Sequence, residues 1–234
     1  MKKKEQTEHI EKHFDAPDLI RDIVIGMSDG LTVPFALAAG LSGSVSATNI
    51  VVIAGIAEIA AGSIAMGLGG YLAARTDREH YANELERERR EIIEVPEREK
   101  EEVAEVLRSW GLREHQIESA VEAISEDADR WVDFMMKHEL GLEEPEPKRA
   151  RNSSLTIGIS YIVGGLIPLS PYIFIHHAQS ALMTSVIATL IALFIFGYVK
   201  GRFTGSKPFK SAWQTTLVGG FAAGIAFLVA KLIS

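Results

Sequence analysis

Residues 49–79 read NIVVIAGIAEIAAGSIAMGLGGYLAARTDRE. From Asn49 to Ala74 the only charged side chain is Glu58, and the next five residues contain Arg75, Asp77, Arg78 and Glu79. A run of about 20 apolar residues is enough to carry a helix across the hydrocarbon core of a bilayer. The switch to charge at Arg75 is where such a helix leaves the lipid. The rest of the chain repeats this division.

The averages conceal it. The chain has 234 residues, 47% hydrophobic and 24% charged, with a net charge of −7. That charge content argues against disorder, and an acidic balance against a nucleic-acid partner, since phosphate binding wants a basic surface. The absence of cysteine excludes disulfide scaffolds, thiolate metal sites and thiol nucleophiles. Yet none of the 31 acidic residues lies after Glu146, and 23 fall between Arg75 and Asn152, against 14 Lys and Arg there. A soluble helix carries charge on its outer face, so long stretches without charge imply lipid around them.

Five spans follow: Leu19–Leu41, Asn49–Ala74, Leu155–Ile175, Ala181–Val199 and Ala212–Ile233. Short connections at Ser42–Thr48, His176–Ser180 and Gly201–Ser211 make helical hairpins. Helices are required because lipid gives backbone groups no other partner. The expected class is all-α: a polytopic membrane protein of five transmembrane helices, with a cytosolic helical domain inserted between helices 2 and 3. Its parts are an N-terminal arm (1–18), helices 1–2 (19–74), the acidic domain (75–152) and helices 3–5 (153–234). Lys2, Lys3, Lys4 and Lys12, the basic residues of the acidic block, and Lys200, Arg202, Lys207 and Lys210 all fall on one side. That side is cytosolic by the positive-inside rule. A cleavable signal peptide over Met1–Ala39 is disfavoured, because the polar arm is long and acidic and Asp29 and Pro34 interrupt the apolar run.

Two carboxylates, Asp29 and Glu58, lie near the midpoints of their spans. Such groups cost a few kcal/mol to insert and mark cavities, partners or ion paths. With no Lys or Arg at similar depth, protons or a bound cation remain. The plain alternative is a protonated carboxyl hydrogen-bonded between helices. Met66, two turns after Glu58, adds a soft thioether that suits a transition metal. Gly26 with Gly30, Ser63 with Gly67, and Gly220 with Gly224 have the four-residue spacing that lets helix backbones approach. Pro34 is expected to kink span one and free a carbonyl near Asp29, and Pro168 and Pro171 to make span three irregular.

The acidic block reads as amphipathic helices. The first continues from span two to about Ile93 and ends at Pro96. Others cover Glu97–Trp110, Glu114–Ile124 and Ala128–Leu140, with Gly111 and Gly141 as stops. Glu84, Glu88 and Glu91 share one face, and Glu99, Glu102 and Glu105 another. Met135 and Met136 precede Glu139 by one turn. The bland reading is a solvated face with Arg87, Arg89, Arg90 and Arg98 as ion-pair partners. Repulsion between like charges, and the mixture of sulfur with carboxylate, favour a divalent metal instead. The single Asp77/His80 pair is too little for a ferritin-like di-metal centre.

The residues Ser28-Asp29-Gly30-Leu31-Thr32-Val33-Pro34-Phe35, Gly55-Ile56-Ala57-Glu58 and Gly62-Ser63-Ile64-Ala65-Met66-Gly67 resemble the first two helices of the vacuolar iron transporter family. Asp133–Leu142 resembles the end of that family's cytosolic metal-binding domain, and Gly164–Pro168 its third helix. The resemblance covers nearly the whole chain after Asp18. It implies a homodimer of five-helix protomers exporting Fe²⁺, often also Mn²⁺, from the cytosol in exchange for protons. It implies a pathway along the dimer interface through Asp29, Glu58 and Met66, and cytosolic ligands at Glu88, Glu91, Glu99, Glu102, Met135, Met136 and Glu139. Fe²⁺, Mn²⁺ or Zn²⁺ is then a bound substrate, with no prosthetic group and no enzymatic activity. Metal would pass from the acidic helices to Glu58, Met66 and Asp29 in turn. The rival class is a membrane-anchored metal sensor or store, which would need no carboxylates inside the membrane. The arm carries no recognisable vacuolar sorting signal, so a prokaryotic plasma membrane is the expected address and a vacuolar membrane the alternative. The adjacent His176 and His177 fall in an outer loop.

Overall fold

The computed structural model describes residues 17–43 and 47–233. The N-terminal arm through residue 16, the start of the disfavoured signal peptide with it, and positions 44–46 of the first loop lie outside the described residues. The described chain is all-helical: α1 (Pro17–Ser42), α2 (Thr48–Glu94), α3 (Pro96–Ser109), α4 (Glu114–Ser125), α5 (Ala128–Phe134), a π-helical turn (Met135–Glu139), α6 (Arg149–Phe174), α7 (Ala178–Phe203) and α8 (Pro208–Ile233). One antiparallel bridge joins Ala47 to His177. The chain divides into two compact units, Met1–Gly70 with Ser153–Ser234, and Tyr71–Asn152.

Five helices, α1, α2, α6, α7 and α8, are long and apolar enough to cross a membrane. α7 shows what surrounds them. Ala181, Ser185, Thr189, Leu193, Gly197 and Gly201 form a buried stripe at four-residue steps. Met183, Ile187, Ile191 and Ile195 form the opposite stripe and are more than half exposed (60, 54, 55 and 58%). The small and polar residues are inside and the large apolar ones outside, which is the packing of helices in hydrocarbon. The chain is a multi-pass integral membrane protein.

Glycine sets the spacing inside this unit. A Cβ on Gly26 would overlap the Ile157 carbonyl, and one on Gly30 the Tyr161 backbone. One on Gly164 would lie 3.0 Å from the Leu31 amide nitrogen. α1 therefore meets α6 backbone to backbone. α2 approaches α6 in the same way, with Gly67 facing the Ser154 carbonyl at 2.9 Å for an added Cβ. Gly197 and Gly201 bring α7 against Ala212 and Pro208 of α8. The expected approach at Gly220 and Gly224 does not occur: Gly220 meets only Leu190 at 3.4 Å, and nothing lies within 4 Å of a Cβ on Gly224. Small residues permit a close crossing without compelling one, and the contact of α8 with α7 is made by Ala212 and Thr215 instead.

The prolines do not interrupt their helices. α1 continues as α-helix through Pro34, and α6 through Pro168 and Pro171. A proline leaves the carbonyl four residues back without its amide. For Pro171 that is the Ile167 carbonyl, and the Ser170 hydroxyl donates to it at 2.9 Å. The Ser185 hydroxyl donates to the Pro168 carbonyl at 2.7 Å, tying α7 to α6.

In the acidic unit the chain leaves α2 through the single residue Val95 and re-enters helix at Pro96, which suits a first helical position because it has no amide to leave unpaired. Gly111 (φ +88°) and Gly141 (φ +65°) take left-handed conformations that stop the helices before them. Ile92, Val103, Leu107, Trp131, Met135 and Met136 belong to the core. The expected helix Ala128–Leu140 is not uniform. After Phe134 it widens into the π turn, in which the Leu140 amide donates to the Met135 carbonyl at 3.0 Å. Periodicity of 3.6 cannot reveal one inserted residue, and the insertion lets adjacent Met135 and Met136 both point into the core.

Gly26→Ala should lower the melting temperature of the detergent-solubilised protein, as overpacking costs about 1–3 kcal/mol. Gly224→Ala should leave it unchanged or raise it slightly. Differential scanning fluorimetry of the two variants checks the contrast.

Candidate functional site

The acidic unit gathers carboxylates through its first helical reversal. Because only Val95 separates α2 from α3, Glu91 and Glu88 on one helix face Glu99 and Glu102 on the next. Carboxylate oxygens of Glu88, Glu91 and Glu99 lie within 4.8 Å of one another, close enough to hold one cation. Glu88 and Glu99 are each only 1% exposed. Each also has a buried Oε2 without a hydrogen-bond partner. Buried carboxylate oxygens are ordinarily satisfied, and none of the described residues satisfies these two.

The electrostatics agree. The Glu99 carboxyl is pushed up to about 7, first by burial and then by Glu102, Glu88, Glu91 and Glu139. Burial also raises Glu88, with Glu91 adding to the effect and Arg87 opposing it. Glu139 is raised by burial, then by Glu102 and Glu88. The π turn thus delivers a fifth carboxylate to the cluster. Crowded like charges in a partly desolvated site favour protonation, or a cation in the proton's place.

Met135 and Met136 are 0% and 1% exposed and lie in the apolar core. Glu105, which the spacing grouped with Glu99 and Glu102, is exposed and interacts with Arg108. Of the arginines named as partners, Arg98 Nε bonds Glu102 at 3.1 Å. Arg89 reaches Asp129, not the cluster, at 3.6 Å. Arg87 lies among Glu84, Glu88 and Glu91.

In the membrane unit Glu58 is half-buried and accepts a hydrogen bond from the Tyr161 hydroxyl of α6. Its second oxygen is buried without a partner. The alternative of a carboxyl bonded between helices is therefore met on one oxygen only. Asp29 of α1 is within electrostatic reach of the same hydroxyl. Tyr161 reaches this position because Gly62 leaves room for its ring and Gly30 for its backbone. Glu58 also faces a cleft of about 550 Å³, lined otherwise by apolar or glycine residues including Val33, Leu37 and Gly40 of α1 and Val229 of α8. Met66 is half-buried on α2, about 12 Å along the axis from Glu58, so the two are successive positions and not one site.

Tyr161 escapes sequence reasoning. The available signal was a phenol within an apolar span, which when buried needs a polar partner, while Glu58 stood in another span without one. Asp22, 2% exposed and two turns before Asp29, is a further carboxylate of α1, more buried than Asp29, that position at the edge of the span obscured.

The VIT family model matches residues 20–231. The chain belongs to this family. It is 56% identical over 225 residues to Vacuolar iron transporter 1 of Arabidopsis thaliana, covering 96% of this chain and 90% of that one. It is 57% identical over 226 residues to Vacuolar iron transporter 1 of Eucalyptus grandis, with 97% and 91% covered. Protein CCC1 of Saccharomyces cerevisiae is 37% identical over 225 residues, with 93% and 70% covered. The VIT family match spans both the carboxylate cluster and the Glu58–Tyr161 pair.

Glu99 binds its proton more tightly in the fold than in an unfolded chain. Its contribution to stability is therefore full below the ordinary carboxylate value of 4.5 and is lost as pH rises through about 7. Metal-free protein should melt several degrees lower at pH 8 than at pH 5.5, and Glu99→Gln should flatten that dependence. Thermal melts across this range, in detergent and chelator, measure both.

Proposed function

We propose that this VIT family protein exports Fe²⁺, and Mn²⁺ as a second substrate, from the cytosol across its membrane in exchange for protons. The observation that carries the reading is the Glu88/Glu91/Glu99 cluster with its two buried, unpartnered oxygens. That the Arabidopsis and Eucalyptus relatives are named vacuolar iron transporters supports the cargo.

The side on which the acidic unit sits follows from its arginines and lysines, which the positive-inside rule assigns to the cytosol. There Glu88, Glu91, Glu99, Glu102 and Glu139, with sulfur from Met135 and Met136, would capture metal and raise its local concentration. Along α2, Met66 lies eight residues nearer the acidic segment than Glu58. Metal entering from that end meets Met66 before Glu58 and Asp29, which reverses the order of the first two read from the sequence. Glu58 offers its free oxygen, and Tyr161 holds the other. Protons from the opposite side compete for the same carboxylate lone pairs and release the cation. Glu58 opens on a lateral cleft of the single chain, and a second copy of the chain closing that cleft would enclose the path, as a homodimer requires. The relatives' names favour a vacuolar membrane, and the prokaryotic plasma membrane expected from the N-terminal arm has no comparable support.

Asp29→Asn and Met66→Leu should each reduce Fe²⁺ flux into proteoliposomes at least about tenfold, the effect of roughly 1.4 kcal/mol on a barrier, with unchanged reconstitution. A chelation-quenched fluorophore in the lumen, with and without an imposed pH gradient, reads flux and proton coupling together. Wild-type flux in both variants rejects the pathway.

A further inference from the structure

The arginine inside the cluster is part of how the cluster works. Arg87 lies one residue before Glu88, and its guanidinium is spread over three carboxylates. Nη2 lies 2.8 Å from Glu84 Oε2 and 3.4 Å from Glu88 Oε1, while Nε lies 3.6 Å from Glu91 Oε2. Two of those three, Glu88 and Glu91, belong to the trio whose oxygens could hold one cation. The third, Glu84, does not. Arg87 Nε is buried and too far from Glu91 for a hydrogen bond, so the contact with Glu91 is electrostatic and readily given up. The shortest contact is with Glu84, whose side chain is 18% exposed and lies 3.8 Å from His80 Nδ1.

We propose that Arg87 is a built-in competing counter-ion: it is shared among Glu84, Glu88 and Glu91 when the cluster is empty, and a divalent cation drives it off Glu88 and Glu91 and leaves it on Glu84 alone. This rests on the reading of the cluster as a metal site and adds how its affinity is set. A guanidinium stays charged at any working pH, so it cannot make way by losing a proton and can only move. A doubly charged ion on Glu88 and Glu91 would stand within a few ångströms of it, where like charges repel by more than thermal energy even in a moderately polar medium. Glu84 gives Arg87 a place to go without leaving the helix. A transport protein benefits twice. The emptied carboxylates regain a cation at once, and the metal is held less tightly than five carboxylates alone would hold it, which permits release. Arg98 does not serve in this way, since its side chain is 76% exposed and its ion pair is with Glu102, outside the trio.

Mn²⁺ binding to the full chain in detergent, at fixed pH and ionic strength, tests this through the electron paramagnetic resonance of the free ion. Arg87→Gln should bind Mn²⁺ roughly tenfold more tightly, and Arg87→Lys should stay within about threefold of wild type, because charge is what competes. Glu84→Gln should weaken binding several-fold, and that effect should shrink below about twofold in the Arg87→Gln background, the coupling expected of two residues acting as a pair. Melting curves establish that each variant is folded. Unchanged or weaker binding by Arg87→Gln overturns the proposal. An undiminished Glu84→Gln effect in the double variant overturns the role of Glu84. If wild type binds Mn²⁺ no better than Glu99→Gln does, the metal-site reading itself fails and this inference falls with it.

Discussion

Hydrocarbon gives a buried amide or hydroxyl nothing to bond, and the membrane unit is arranged around that constraint. Its backbone is satisfied within five long helices. Several of the polar groups that remain are paired: Ser185 with the Pro168 carbonyl and Tyr161 with Glu58 across helices, and Ser170 within α6 with the carbonyl that Pro171 strands. Close helix crossings make these pairings possible, and glycine makes the crossings possible. Without Gly62 there is no room for the Tyr161 ring, and without Gly30 none for its backbone. The contact between Tyr161 and Glu58 thus depends on residues that have no side chain.

The acidic unit solves the opposite problem. It has abundant water-facing charge, yet it buries Glu88 and Glu99 among other carboxylates. Burial and mutual repulsion raise their affinity for protons, and leave oxygens that no donor in the described chain reaches. Such a site is costly for the metal-free fold. A proton or an arginine relieves that cost, and under the proposed function a divalent ion would relieve it too.

Much of this was legible in the linear order of residues. The spans were legible because lipid demands about 20 apolar residues in a row, and the loops because Ser, Gly and short length leave little choice. Gly111 and Gly141 were readable as stops because left-handed backbone suits glycine. The glutamate faces on α2 and α3 were readable because steps of three and four share a helical face. Other features were not. The π turn at Met135–Glu139 inserts a residue that no period announces. Gly220 and Gly224 have the same spacing as Gly26 and Gly30 but meet no neighbouring backbone. Glu105 continues the spacing of Glu99 and Glu102 and yet faces away. Spacing assigns a face and says nothing of what lies opposite.

The sequence by itself determined that this is a helical membrane protein with an acidic insert, because solvent acts on each helix separately through its own pattern of charge. It also determined the chemistry available for a metal, since without cysteine only carboxylate, thioether and imidazole remain. The tertiary structure decided which carboxylates meet, that Tyr161 bonds Glu58, and that Arg87 reaches three carboxylates at once. Those outcomes depend on distances between helices. Distances between helices are set by the packing of residues far apart in the chain, and no local pattern encodes them.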